Sequence, residues 1–427
     1  MRPAYAARTH GRIIFGTTAV TERYDTNDFG STSNDILVLS TRFFYKISEV
    51  GEDKWEYVLD FRDKHDMFGS LNKEKLQLES KNEFQTRQLY ARWVNPDGLF
   101  SSQIGRFQVF ESGSVFVDGA SAEVRFADSF KFGLLGGLNP KSLEQSYLEY
   151  NSKATQTGAY LTYQSNNRVW NENKFATLGY VDQKFNSQSE RRFLFNNFIY
   201  QWDVNSRVIN TIYYDFVPSA KVQTHSLIYQ QGITPAIKSE IGILHLDTIE
   251  YRRNQDLLER LAASPYDEAR LELDFAITED DNLGVRLLSG KRQIDNLKKE
   301  EVTLGYDMNN RFSKSFDIRP EVGYRRNFTS KDVIAKLALG YYSRNWEINF
   351  DNCISANTYD DGVKKNQLIT DLGVTSYFSK QTYLNLSYQH AGEEGVQINT
   401  VFFRIGYRFG NQDIPPVRDG APPRGAL

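Results

Sequence analysis

Hydrophobic and polar residues alternate along most of the chain in short runs separated by turn residues. This is the period-two pattern of a strand whose two faces meet different surroundings. Phe316, Ile318, Pro320, Val322 and Tyr324 alternate with Asp317, Arg319, Glu321, Gly323 and Arg325. In the same way Leu271, Leu273, Phe275 and Ile277 alternate with Arg270, Glu272, Asp274 and Ala276, and Trp55, Tyr57, Leu59 and Phe61 with Glu56, Val58, Asp60 and Arg62. The pattern predicts about 22 strands in all. They fall near 10–23, 36–48, 54–62, 84–94, 100–110, 119–126, 129–137, 155–165, 173–184, 190–202 and 207–217 in the first half. The second half adds 222–232, 238–250, 267–277, 283–292, 299–308, 314–325, 331–342, 345–356, 364–377, 381–391 and 396–409.

Strand length decides the class. Many runs span 10 to 14 residues, against ~5–6 in soluble sheets and ~9–11 for a tilted strand that crosses a bilayer. The expected fold is therefore all-β, a transmembrane antiparallel barrel of about 22 strands, with 18 to 22 compatible because paired miscounts cancel. An even count puts both termini on one side, expected to be periplasmic. The turns at Ser379–Lys380, Arg344–Asn345, Arg311–Ser313, Thr278–Asn282, Val204–Ser206 and Asn95–Gly98 then share that side. The longest connections, Asp63–Glu83, Leu138–Ala154 and Arg252–Tyr266, fall on the other. Arg or Lys facing lipid at the midplane costs roughly 2–4 kcal/mol, so the charged faces are expected to line the lumen.

Composition removes the competing classes. The 427 residues are 25% charged and 40% hydrophobic, the mean hydropathy is −0.54, and no run approaches the ~18 apolar residues of a membrane helix. Length alone would suggest two or three soluble domains, but no internal linker divides the chain, and a soluble propeller fails on strand length and lack of a repeat. Aromatics make up 14%, with 25 Tyr and 29 Phe, which suits interfacial girdles. A net charge of −3 excludes a nucleic-acid partner. A single cysteine, Cys353, excludes a disulfide framework, a multi-cysteine zinc site and a CxxCH haem attachment, and no cofactor is expected. Five histidines, His10, His65, His225, His245 and His390, carry no motif. Only His225, His245 and Asp247, on adjacent strands, offer a grouping, and no enzyme is expected.

The ends differ from the middle. Residues 1–9 are expected to be an N-terminal segment, where Ala4-Tyr5-Ala6 makes an A-x-A-like cleavage pattern and a mature chain would begin near Ala7. The barrel is expected over 10–409, and the Pro- and Gly-rich 410–427 as a disordered periplasmic tail. Asp256–Ala263, DLLERLAA, has helical spacing and is expected as a short helix in an outer loop.

Two stretches carry a resemblance. Thr400–Phe409, TVFFRIGYRF, alternates Val401, Phe403, Ile405, Tyr407 and Phe409 with Phe402, Arg404, Gly406 and Arg408. It resembles the C-terminal strand of bacterial outer-membrane barrels, which implies outer-membrane location, contact with lipid and lipopolysaccharide, and recognition by the barrel-assembly machinery. Arg87–Phe110, RQLYARWVNPDGLFSSQIGRFQVF, followed by VDGASAEVRF at 117–126, resembles a hairpin of porins and alginate-export-like barrels, which implies Arg92, Arg106, Glu123 and Arg125 on a pore wall. Strand parity adds Asp60, Arg62, Arg270, Glu272, Asp274, Arg286, Asp317, Arg319, Glu321, Arg325, Lys336, Glu347, Arg404 and Arg408. The expected function is a porin-like channel that passes small hydrophilic solutes through a mixed-charge lumen. The alternative is a structural or conduit barrel that sheathes or anchors a periplasmic or lumenal protein partner.

Overall fold

The computed structural model describes residues 7–26, 30–50, 54–67, 82–140, 153–167, 172–247, 249, 265–310 and 315–411. They form 22 antiparallel strands, one for each run expected from the sequence. In chain order these are β1 (Arg8–Thr26), β2 (Gly30–Val50), β3 (Trp55–Asp66), β4 (Asn82–Val94), β5 (Phe100–Val109), β6 (Val115–Ala127), β7 (Phe130–Leu138), β8 (Ala154–Asn167), β9 (Glu172–Phe185), β10 (Gln188–Asp203) and β11 (Ser206–Val217). They continue as β12 (Lys221–Thr234), β13 (Ile237–Leu246), β14 (Tyr266–Ala276), β15 (Asp281–Arg292), β16 (Lys298–Met308), β17 (Phe316–Asn327), β18 (Ser330–Tyr342), β19 (Trp346–Tyr359), β20 (Lys364–Tyr377), β21 (Thr382–Glu393) and β22 (Val396–Gly410). The expected helix at 256–263 and the tail beyond Asn411 lie outside the described residues.

Each strand pairs with its neighbours in sequence, and β22 pairs back onto β1 from His10–Gly410 to Tyr24–Val396. Closure leaves no sheet edge at the seam, which a bilayer demands because unpaired backbone groups find no water there. Asn411 tightens the seam: its Oδ1 accepts from Thr9 N at 2.6 Å and its Nδ2 donates to the Ala7 carbonyl at 2.7 Å. Every connection at the rim that holds both ends of the sheet is short, and the strand ends joined by the three long connections all lie at the other rim, among short turns.

The two faces of the sheet differ as the alternation requires. One exposes Ile104, Val333, Val322, Ile354, Leu134 and Val302, each more than half accessible, over a continuous surface. Soluble proteins rarely expose apolar patches beyond a few hundred Å². Trp55, Trp93, Trp202 and Trp346 all lie at the short-turn rim, where the stacked pairs Trp55–Tyr57 (6.1 Å) and Tyr407–Phe409 (6.2 Å) add to an aromatic girdle. The other face carries the charged residues and is concave: side chains from β14 to β20 enclose one cavity there. It also holds the principal buried core, formed by Phe107, Val109, Val115, Val117, Leu135, Tyr160, Val181, Phe193 and Phe195.

Candidate functional site

The inner wall is built by register. At several points opposite charges fall directly across from each other on paired strands. Glu321 faces Lys336 on β18 and accepts from its Nζ at 2.7 Å. Glu272 faces Arg286 on β15 (2.9 Å), and Arg325 faces Asp332 (2.7 Å). Arg319 lies 3.8 Å from Asp307 of β16, and Arg270 reaches across to Glu240 of β13 at 2.5 Å. Arg42 of β2 grips Asp60 with two bonds, Nε–Oδ1 at 2.9 Å and Nη2–Oδ2 at 2.7 Å. Bidentate geometry of this kind fixes both partners.

These ladders do not cancel everywhere. A cavity of about 440 Å³ is bordered by six carboxylates, Glu272, Asp274, Asp307, Glu321, Asp351 and Asp371, and by three cations, Arg286, Arg319 and Lys336. Asp351 and Asp371 stand directly opposite one another on β19 and β20. Like charges so placed repel, an arrangement that water and counter-ions make tolerable. The seam has the opposite sign. Arg12 of β1 stands opposite Arg408 of β22, and Arg404 is four residues along on the same face. Their guanidinium groups rest on aromatic rings, Arg12 on Phe44 and Arg408 on Tyr383 at 5.4 Å each, and Arg404 on Phe402 at 4.7 Å. An acidic arc over β14–β20 thus adjoins a basic arc over β22–β1.

Along β7 to β11 the wall is different. β4 and β5 pair only from Leu89–Arg106 to Val94–Ser101, and β6 leaves β7 before Asp118, while β5 and β6 stay paired to Val109–Val115. The hairpin tip, residues 106–118, has left the wall and lies across the inner face of β8 to β11. Gly105, at φ +122°, makes the departure: a Cβ there would meet the Leu89 carbonyl oxygen at 2.2 Å. The turn's carbonyls find donors on distant strands, from Thr177 Oγ1 to Glu111 O (3.1 Å) and from the Tyr213 hydroxyl to Gly113 O (3.3 Å). Gly179 admits this approach, since a Cβ there would meet the Glu111 carbonyl at 2.6 Å. Where β5 has departed, Arg106 repairs the bared edge of β4 by donating from Nη1 to the Thr86 carbonyl at 2.9 Å, while its Nε binds Asp118 at 2.6 Å. An unpaired carbonyl at that depth would be costly.

The sequence-predicted residues divide accordingly. Asp60, Arg270, Glu272, Asp274, Arg286, Arg319, Glu321 and Lys336 share the charged inner face. Asp317 and Arg325 are on it, with Asp317 buried and accepting from Asn310 N at 3.3 Å. Arg62 stands opposite Arg42, Arg92 opposite Glu56, and Glu347 accepts from the Tyr377 hydroxyl at 3.1 Å. Glu123 accepts from the Tyr160 hydroxyl at 3.2 Å and lies 3.6 Å from Lys131, whereas Arg125 is exposed near the short-turn rim. Arg106 is not part of a lumen strand in the wall but sits at the root of the tucked hairpin. His225 and His245 do oppose each other, on the apolar outward face; His245 Nδ1 pairs with Asp267 (2.6 Å), while Asp247 pairs with Lys221 (3.0 Å). Parity could have added Arg12, Asp351 and Asp371, each of which falls on the inward side of its own strand. The tucked hairpin left only one sign, the shortness of β7, which at 9 residues is the shortest strand.

No protein family and no curated protein matches the chain in sequence. Solved structures match in fold. The P pilus usher PapC translocation pore aligns over 93% of this chain and 99% of its own, at 7% identity and a TM-score of 0.51. OccAB4 of Acinetobacter baumannii aligns over 96% and 100% at 8% identity (TM-score 0.44), and OpdK of Pseudomonas aeruginosa, solved with vanillate, over 94% and 99% at 9% identity (TM-score 0.43). The fold is a closed antiparallel β-barrel of the kind seen in the PapC translocation pore.

Proposed function

We propose that this chain is an integral outer-membrane channel through which small hydrophilic solutes pass, with the short-turn rim and both termini in the periplasm. One observation carries the reading. The inner wall from β12 round to β3 is charged, only partly self-neutralised, and borders open volume, which no barrel needs if its interior is to be filled dry. Asp60, Arg62, Arg92, Arg270, Glu272, Asp274, Arg286, Asp317, Arg319, Glu321, Arg325, Arg404 and Arg408 line the conduit in this reading, with Arg106 and Glu123 around the tucked hairpin that narrows it and Arg125 nearer the short-turn rim. The C-terminal strand, ending at Phe409, is what the assembly machinery reads. The test is conductance of the purified protein in a planar bilayer. Discrete, stable steps are expected; silence from protein that is folded and inserted overturns the reading.

A further inference from the structure

The outward face is not uniformly apolar. At the rim with the long connections, Lys291 stands opposite Lys298, Arg326 opposite Lys331, and Lys331 opposite Thr358, which in turn faces Lys364. Five cations thus lie in one band across β15 to β20, Lys291 and Lys298 in the row nearer the rim and Arg326, Lys331 and Lys364 in the row next to it, over a span of roughly 24 Å at the usual strand spacing. None is in an ion pair among the described residues, and Arg326 Nε is buried without a hydrogen-bond partner. Two strand carboxylates share this band. Glu300 faces Arg326, and Asp267, opposite Lys291, is already held by His245 and by Gln293 Nε2 at 2.8 Å. Elsewhere on the same rim Lys184 and Arg192 share a carboxylate, both lying 3.5 Å from Asp182. Towards the midplane the next row reads Leu287, Val302, Tyr324 and Val333. The opposite rim of these strands carries Tyr306, Tyr341 and Trp346 instead.

We infer that this band binds the phosphates of a multiply phosphorylated glycolipid of the outer leaflet, lipopolysaccharide, whose acyl chains lie on the apolar row below. The band is too wide and too positive for a single phosphodiester, and its apolar neighbour selects a lipid over a soluble anion or an acidic peptide. Basic side chains at a membrane surface gain affinity for anionic headgroups one by one. The inference rests on the placement and orientation proposed above, though not on the barrel being open.

The experiment compares diphosphorylated lipid A with the same lipid after phosphatase treatment, each titrated by fluorescence anisotropy into the full chain in detergent, with chelator present. The intact protein is expected to prefer the phosphorylated form by about tenfold or more, and the triple variant K298Q/R326Q/K331Q to bring the two within about twofold. Lys184→Gln, whose charge is already paired, keeps the full preference. Heat-modifiable gel mobility reports whether each variant is folded; if the triple variant is not, Lys331→Glu replaces it with the same expectation. Equal binding of both lipids by the intact protein, an undiminished preference in the folded variant, or displacement by millimolar inorganic phosphate would each overturn the inference. Conductance separates it from the channel reading. Steps without phosphate preference sink only this site, and preference without steps sinks only the channel.

Discussion

Along β8 to β11 the inner wall presents Tyr160, Val181, Phe193, Phe195 and Tyr213, and the chain's own hairpin lies on them; along β14 to β20 it presents Glu272, Asp274, Arg319, Asp351 and Asp371 around an open cavity. The backbone is the same in both, an antiparallel wall with inward and outward residues alternating. What differs is the side-chain chemistry of the inward half. Aromatic and branched residues invite a second layer because covering them removes apolar area from water. A row of charges repels such a layer, since desolvating several charges costs more than packing returns. One closed wall can thus fill itself on one flank and stay wet on the other.

Removing the second layer tests this contrast most severely. Phe107→Ala deletes the ring at the centre of the buried cluster, for an expected loss of about 3–5 kcal/mol by equilibrium urea unfolding in micelles. It should also loosen the tip enough for protease to cut between 106 and 118. A stability within 1 kcal/mol of the parent by that assay would mean the cluster is not a core.

Ion pairs in the two flanks should differ in the same direction. Arg191 and Asp215, at 3.0 Å, are both buried beside the aromatic flank, and Arg191→Met should cost about 3–5 kcal/mol because it takes the guanidinium away from a buried carboxylate. Gly179→Val should cost about 1–3 kcal/mol through overpacking against the Glu111 carbonyl, and should raise the conductance by displacing the tip. Lys336→Met removes a pair of similar length, 2.7 Å, from the wet flank, where both partners are accessible, and should cost about 0–1 kcal/mol. Equal losses for Arg191→Met and Lys336→Met would erase the distinction between the flanks.

The smallest expected effect on stability has the clearest electrical readout. Asp351→Asn with Asp371→Asn relieves a like-charge pair, so stability should hold or rise by a few tenths of a kcal/mol. Under a salt gradient the reversal potential should move towards anion preference. Arg12→Gln with Arg408→Gln should move it towards cations. Reversal potentials that ignore both changes would place the ion path away from these arcs.

Much of this molecule is a local matter. Whether Glu321 and Arg319 share a face is settled by their being two residues apart, and a run such as Phe316 to Arg325 states its length and its wet and dry sides without reference to anything distant. Twenty-two such runs, the rim that each turn belongs to, and the inward charges of β14 to β18 follow from that period alone. The hairpin at 106–118 does not. Its own alternation, with Phe107, Val109, Val115 and Val117 on one side, is that of any barrel strand with an apolar face. Only the folded chain, by setting Gly113 against Tyr213, a hundred residues on, decided that this apolar face looks at the inner wall instead of at lipid. The pairing of unsatisfied cations across β15 to β20 is likewise a product of register, which brings together Lys298, Lys331 and Lys364 from separate turns. Period two is written between neighbours, whereas layering and rim chemistry depend on which neighbours the closed sheet supplies.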